Sequence, residues 1–499
     1  MKRRYITYMA CIVLGLPLLS SCKDDFLEVD PKGTILESNY YKNPEEAYAG
    51  LVAAYDPLGW QASNTYHNFG AVNAASDDAH AGGGGPSDMN TWQVWNRFTL
   101  NPAIGPQEEY WNRNFRGVSR ANTILSKVQA GVPGLSEAMA ARFIAEAKFL
   151  RAYYYFDLVR LFKNVPLFTA PLETSELFNQ EQATPEQVYA QIEKDLTEAI
   201  PNLPTTVPVS TEGGRVTQGA AKALLGKVLL YQSKWAAAAT QLADVNGTPG
   251  GTSMYGYRLL DDYGKIFSPG NKFNSEAIFE IVHTSLANGG WGSWPNFEGN
   301  IAVLMFGPRG YSGPTYEAGW GFNPLTQDLV NALTGDPRFE HTVLDIKNIS
   351  GAVYEPSFDD TGYFIKKYAP TTEWLSTGGG DVILNYPHNY IEMRLADTYL
   401  MEAEALVQAG GNTTRAGQLL NAVRARVGLA AVAPTLDNIY RERRLELATE
   451  GHRFYDLVRT GRAATVLAPM GFVAGKHEVL PIPQRELVNT KLVQNPEYR

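Results

Sequence analysis

The chain has 499 residues, 44% of them hydrophobic and 19% charged, with 9 Trp, 27 Tyr and 21 Phe. That composition excludes a solvated disordered polypeptide, a collagen or a coiled coil, and the length suits one large fold or about three domain-sized units. With 43 Lys and Arg against 52 Asp and Glu the formal net charge is -9, so there is no general attraction to phosphate backbones and nucleic acid is not an expected partner.

Lys2, Arg3 and Arg4 precede a mostly apolar run over 5–19 that contains no acid, the layout of a secretory signal. A run of about 15 residues falls short of the roughly 20 that a membrane-spanning helix needs, so a cleaved leader over 1–21 is predicted in place of a permanent anchor. The leader ends in Leu19-Ser20-Ser21-Cys22. This resembles a bacterial lipobox, in which small residues admit the peptidase and the Cys22 thiol takes a diacylglyceryl group before cleavage; the competing reading is an ordinary leader with a stray Cys. The 2 Cys are Cys11 and Cys22, so a lipidated mature chain has no thiol left for a disulfide, a catalytic nucleophile or a metal site. More than one acyl chain on one Cys, at about 0.8 kcal/mol per buried CH₂, gives stable attachment to a membrane.

Asn43-Pro44-Glu45-Glu46 supplies an N-cap, a Pro at the first helical position and first-turn acids, and Ala47, Leu51 and Tyr55 follow at spacing four, which predicts a helix. The stretch 61–106 is rich in Gly, Asn, Ser and Pro and is read as a long loop. A second helix is predicted over 136–162, capped by Ser136, with Met139, Phe143, Ala147, Leu150, Tyr154, Leu158 and Leu161 on one stripe and Pro166 beyond it. Thr184-Pro185-Glu186-Gln187 is a capping box before Val188, Ile192 and Leu196; Pro201 stops that helix and 201–214 is loop. Over 217–245 two short helices follow, in which Leu225, Gly226, Leu229, Ala238 and Leu242 keep tetratricopeptide spacing. The run 277–283 is a short strand candidate, 289–321 is a second long loop, and Gly378 opens a third. A looser helix pair spans 399–427, with Ala403, Val407, Ala416, Leu420 and Val423 either side of Gly410-Gly411. One such pair cannot bury its own faces, so the fold expected is mainly α: tetratricopeptide-like helix pairs from distant segments packed into a scaffold, with long aromatic-rich loops and little β.

Most catalytic signatures are missing. No Gly-x-x-x-x-Gly-Lys occurs, and the run Gly82 to Gly85 leads into Pro86. No His-Glu-x-x-His and no Gly-x-Ser-x-Gly occur either, so no cofactor and no metal ligand is assigned. Asp77-Asp78-Ala79-His80 carries donors for a hard cation, yet acids clustered on loops serve more often as turn and cap formers. The many carboxylates leave a glycosidase pair open, because such pairs have no fixed separation in sequence.

The positive signal is aromatic. Trp92, Trp95, Trp291, Trp294, Trp320 and Trp374 fall in the loop stretches and not on a helical stripe like Trp235. A flat indole suits the apolar face of a sugar ring, while nearby Asn, Asp and Arg reach hydroxyls; the competing role is to pin the loops onto the scaffold. Trp92, Trp95, Trp291, Trp294 and Trp374 are the candidate ligand platforms, and Trp320, ahead of a helix-like run, is read as structural.

The C-terminal third is the most specific part of the chain. Tyr440-Arg441-Glu442-Arg443-Arg444-Leu445-Glu446-Leu447-Ala448-Thr449-Glu450-Gly451-His452-Arg453-Phe454-Tyr455-Asp456, then Leu480-Pro481-Ile482-Pro483 and Gln494-Asn495-Pro496, resemble the signature of SusD/RagB-type lipoproteins. Phe26-Leu27-Glu28-Val29-Asp30-Pro31 and Arg394-Leu395-Ala396-Asp397-Thr398-Tyr399 are similar to the same family, and Lys23-Asp24-Asp25 resembles the export tag of surface lipoproteins of Bacteroidota. The resemblance implies a leader over 1–21, an N-terminal region over 22–215 and a C-terminal region over 216–499. It also implies a non-enzymatic, lipid-anchored glycan or nutrient binder on the outer membrane, working with a SusC-type TonB-dependent transporter. The motif residues themselves, alternating Arg and Glu on one helix, report an ion-pair network and not a ligand. A helical-toroid glycoside hydrolase and a non-binding tetratricopeptide adaptor are the alternatives.

Overall fold

Capping chemistry starts the helices that the sequence predicts after Asn43, Ser136 and Thr184. In the computed structural model, which describes residues 40–60, 67–286, 289–291 and 298–499, Asn43 Oδ1 accepts the Glu46 amide at 2.8 Å and starts α1 (Pro44–Tyr55). Then come α2 (Asn90–Asn96) and α3 (Gln107–Ala130). Ser136 caps α4 (Glu137–Phe162). Both bonds of the predicted box form at α5 (Pro185–Ala199), with the Thr184 amide donating to Gln187 Oε1 at 2.9 Å and the Gln187 amide to Thr184 Oγ1 at 3.4 Å. The two short helices are α6 (Gln218–Tyr231) and α7 (Trp235–Asn246). Beyond them lie α8 (Ile301–Phe306), α9 (Gln327–Leu333), α10 (Leu395–Gln408), α11 (Thr413–Arg426), α12 (Leu436–Glu446) and α13 (Arg453–Arg459).

The helices pack in a chain: α1 on α3, α3 on α4, α4 on α5, α5 on α6, α6 on α7, α7 on α10, and α10 on α11 and α12. The step from α7 to α10 joins the central helix pair to the C-terminal one, so distant segments do share one scaffold, as the tetratricopeptide spacing requires. Gly226 is small for the reason that spacing implies: a Cβ there would lie 2.5 Å from Leu242 Cγ, where α6 crosses α7. Asn43–Arg499 form one compact unit. Among the described residues no helix is long and apolar enough to cross a membrane.

Strands are few. β1 (Val165–Pro166) pairs with β2 (Gln182–Ala183), β3 (Ala277–Ile281) with β6 (Tyr390–Arg394), and β4 (Val343–Asp345) with β5 (Tyr363–Ile365), all antiparallel. β3 begins where the β-branched run begins and ends two residues before His283.

Two long stretches expected to be loop contain helix, and the 201–214 loop contains the single helical turn Val209–Glu212. α2 lies inside 61–106 and α8 inside 289–321. α2 opens from Met89, which has φ 46° and offers no side-chain cap, so neither composition nor a capping residue announces it. Its stability comes from burial: Trp92, Gln93, Trp95 and Asn96 all face inward.

Glu442 and Glu446 of α12 belong to a buried ionic lattice. Arg338 Nη1 meets Glu442 at 2.6 Å and Glu446 at 2.9 Å; Arg394 meets Glu276 at 2.8 Å, Glu446 at 2.6 Å and Glu450 at 2.7 Å. Arg426 bonds Glu276 and Glu446, and Lys367 reaches Glu450 at 2.7 Å. These groups are almost wholly out of solvent. Burial alone would raise the Glu446 carboxyl, but the Arg426, Arg394 and Arg338 guanidiniums together hold it well below the usual range. The lattice ties the start of β3, the end of β6, the end of α11 and α12 to one point.

Candidate functional site

β3 ends at one wall of an open cleft of about 1030 Å³, whose lining includes Asp56, Trp60, Asn112, Arg116, Arg120, Thr284 and Glu298. Trp60 follows the end of α1. Its Nε1 donates to Asp56 Oδ2 at 2.8 Å, and the guanidiniums of Arg120 and Arg116, one turn apart on α3, lie 5.2 and 5.9 Å from the indole centroid. Arg120 also pairs with Asp56 at 2.5 Å, so that carboxylate is committed to two partners. Burial, and secondarily the Asp56 charge, raises the Glu298 carboxyl. Amide, guanidinium, carboxylate and hydroxyl groups converge here, a set suited to a ligand rich in hydroxyls.

From this wall a loop departs and returns. The Thr284 amide donates to Glu298 O at 2.9 Å, so the excursion over 284–298 is closed at its base. Trp291, on the excursion, is 50% exposed and lies beside Trp320, with ring centroids 5.9 Å apart and planes inclined by 31°. Trp320 is itself partly exposed and is fixed through its amide, which donates to Leu304 O at 3.0 Å at the end of α8. Leu286, Val382 and Ile383 are further exposed apolar side chains of the same loops, which Ser376 Oγ joins by donating to Ser285 O at 2.5 Å. The result is a solvent-facing aromatic pair with an apolar surround.

The predicted platform residues separate. Trp92 and Trp95 are 0% and 1% exposed and are not available to stack on a ligand. Trp92 meets the Phe322 ring edge to face at 5.5 Å, and Trp95 meets Tyr110 and Phe454 the same way at 6.0 and 5.3 Å. They are core residues of α2, and the loop-pinning role is theirs. Trp374 is half-buried over the Pro269–Asn271 turn, where a Cβ on Gly270 would lie 3.0 Å from its ring. Trp294 and Cys22 lie outside the described residues. Trp320, read as structural, is the neighbour of Trp291, and Trp60, which lines the cleft, is not among the predicted candidates. No local pattern links Trp60 to Arg116 and Arg120; only the packing of α1 on α3 brings them together. Asp77 and Asp78 are occupied by cations of the chain: Arg453 Nε meets Asp77 and Arg444 Nε meets Asp78, both at 2.8 Å.

Comparison with known proteins bears on this geometry. Residues 346–474 match the model of the SusD family, and residues 25–230 match one described as starch-binding associating with outer membrane. A solved structure named laminarin binding SusD-like protein is 51% identical, with a TM-score of 0.88 over 92% of this chain and 100% of that one. The surface glycan-binding protein A from Bacteroides thetaiotaomicron in complex with laminarihexaose is 29% identical, with a TM-score of 0.82 over 91% of this chain and 99% of that one. SusD-like protein P38 of Formosa agariphila is 29% identical over 100% of this chain and 99% of its own length.

Proposed function

Starting from the fact that the chain belongs to the SusD family, we propose that it is a cell-surface lipoprotein that captures an oligosaccharide reversibly, cleaves no bond, and delivers it to a TonB-dependent outer-membrane transporter. The observation that carries the reading is the exposed Trp291 and Trp320 pair. Two tilted indoles offer a bent apolar surface to the C–H faces of consecutive sugar rings, and the polar cleft at the base of the same loop offers partners for hydroxyls. The names of the two structural neighbours make a β-glucan of the laminarin type the first ligand class to test. Attachment to the outer leaflet is assigned to lipid on Cys22, and alignment over a pore to the transporter, since a flexible lipid tether fixes distance from the membrane but not orientation.

Calorimetry of the purified protein with laminarihexaose, followed by analysis of the sugar recovered, tests the reading. Saturable heat with the hexaose recovered intact is expected. Shorter sugars with new reducing ends would favour the helical-toroid hydrolase, and no heat with any glycan of a broad panel would favour the tetratricopeptide adaptor.

A further inference from the structure

Both limbs of the loop that carries Trp291 are fastened to one short segment, 381–388. On the outgoing limb, Asp381 Oδ2 accepts the Trp291 amide at 2.7 Å and the Asp381 amide donates to Gly289 O at 3.2 Å. Asn385 Nδ2 donates to Gly289 O at 3.0 Å and to Asp381 O at 2.8 Å. On the returning limb, the Asn300 amide donates to Tyr386 O at 2.8 Å, and Asn300 Nδ2 donates to His388 O at 2.9 Å. Asn300 also caps α8, its Oδ1 accepting the Ala302 amide at 3.1 Å, and α8 in turn holds the Trp320 backbone. The positions of the two indoles are therefore set from a common frame.

Within that frame Asp381 is unusual. Asn385 is wholly buried, but Asp381 is exposed, precedes the single turn Val382–Leu384 without capping it, and uses its side chain on the backbone of Trp291. Gly290 is shaped to that contact, since a Cβ there would lie 2.0 Å from Asp381 Oδ2. A carboxylate spent in this way adds nothing to the core and fixes where one surface indole begins.

We propose that Asp381 is a positioning residue of the Trp291–Trp320 platform: its carboxylate clasps the Trp291 amide and presets the indole beside Trp320 before ligand arrives, with Asn385 as its buried support and Gly290 as the residue the clasp requires. The proposal rests on the platform reading above. Presetting matters because a surface that is already ordered does not lose side-chain and loop freedom on binding, and affinity rises by what is not lost.

The test uses the full chain and two readouts. The circular dichroism exciton couplet of the indole pair, identified as the band lost in Trp320→Phe, reports the relative placement of the rings without ligand. Titration with laminarihexaose reports binding. Asp381→Ala and Gly290→Ala should each lose most of the couplet at unchanged melting temperature and bind about 2- to 10-fold more weakly, the effect of one hydrogen bond of ordinary net strength. Asp381→Asn keeps an oxygen that accepts the Trp291 amide and should retain both couplet and affinity. A full couplet in Asp381→Ala, or Asp381→Asn no better than Asp381→Ala, overturns the clasp. If the wild type does not bind the hexaose, the functional reading fails while the couplet still decides the clasp.

Discussion

Trp291 precedes α8 and Trp320 follows it in the chain, and the two rings meet at the surface with centroids 5.9 Å apart, whereas Trp92 and Trp95, three residues apart on one helix, are enclosed in the core. The two pairs should answer truncation differently. Trp92→Ala and Trp95→Ala each remove a fully buried indole, costing about 3–5 kcal/mol and lowering the melting temperature markedly. Trp291→Ala and Trp320→Ala should leave the melt almost unchanged. Differential scanning calorimetry of the four variants checks this, and a low melt for the Trp291 or Trp320 variant would make that indole a structural pin.

The link from Arg394 to Glu446 is the centre of the buried lattice, and both groups have further charged partners. Glu446→Gln leaves Arg338, Arg394 and Arg426 with one carboxylate fewer in a dry site. We expect a loss of about 3–5 kcal/mol, because one member of a buried charge set is left uncompensated. Urea denaturation measures it; a change below about 1 kcal/mol, the worth of an exposed pair, would mean the lattice is well hydrated in solution.

Stability should fall on mild acidification. Burial lowers His283 and His452 to about 4 and His388 to about 3, the last reinforced by Lys272 and His283, against 6.5 for the free side chain. Between about 6.5 and 4 the unfolded chain therefore binds more protons than the folded one, and folding weakens as pH drops through that window. Glu392, raised chiefly by burial, acts in the opposite sense. Thermal midpoints between pH 7.5 and about 4.5 should decline below about 6.5. His388→Gln removes one of these groups and should make the decline shallower; an unaltered slope would exclude His388 as a contributor.

The helices with a capping side chain were legible because their signals are local, whereas α3, which has none, was not predicted. Asn43, Ser136 and Thr184 each cap a helix through a contact three residues away, and the Gly226-to-Leu242 approach follows from repeat spacing. The charged run at 441–446 was legible as an ion-pair helix, although its partners Arg338, Arg394 and Arg426 come from elsewhere in the chain. The site was less legible because loop composition does not tell which way an indole faces. Trp92 and Trp95 sit in a Gly- and Ser-rich neighbourhood that conceals a short helix stabilised by burial. Trp320 is held beside Trp291 by a backbone bond to Leu304, and Trp60 is held in the cleft by contacts with Arg116 and Arg120 across two helices, none of which leaves a pattern in one dimension.

Anchoring and delivery are tested in cells. Cys22→Ser should release the protein from membrane fractions in a strain lacking the transporter, and external protease should digest the wild type on intact cells. The wild type should also co-purify with a SusC-type transporter in mild detergent. A Cys22→Ser protein that stays firmly membrane-bound without the transporter would refute acylation as the anchor.

Carbohydrate capture by the indole pair is tested most directly by titrating laminarihexaose into the wild type and into a Trp291→Ala/Trp320→Ala double variant of equal melting temperature. Stacking is worth on the order of 1 to 3 kcal/mol per aromatic platform by analogy with bases, so each lost indole should weaken binding about 5- to 150-fold and the double variant should bind at least about 25-fold more weakly. Equal affinity of the two proteins for the hexaose would contradict the assignment.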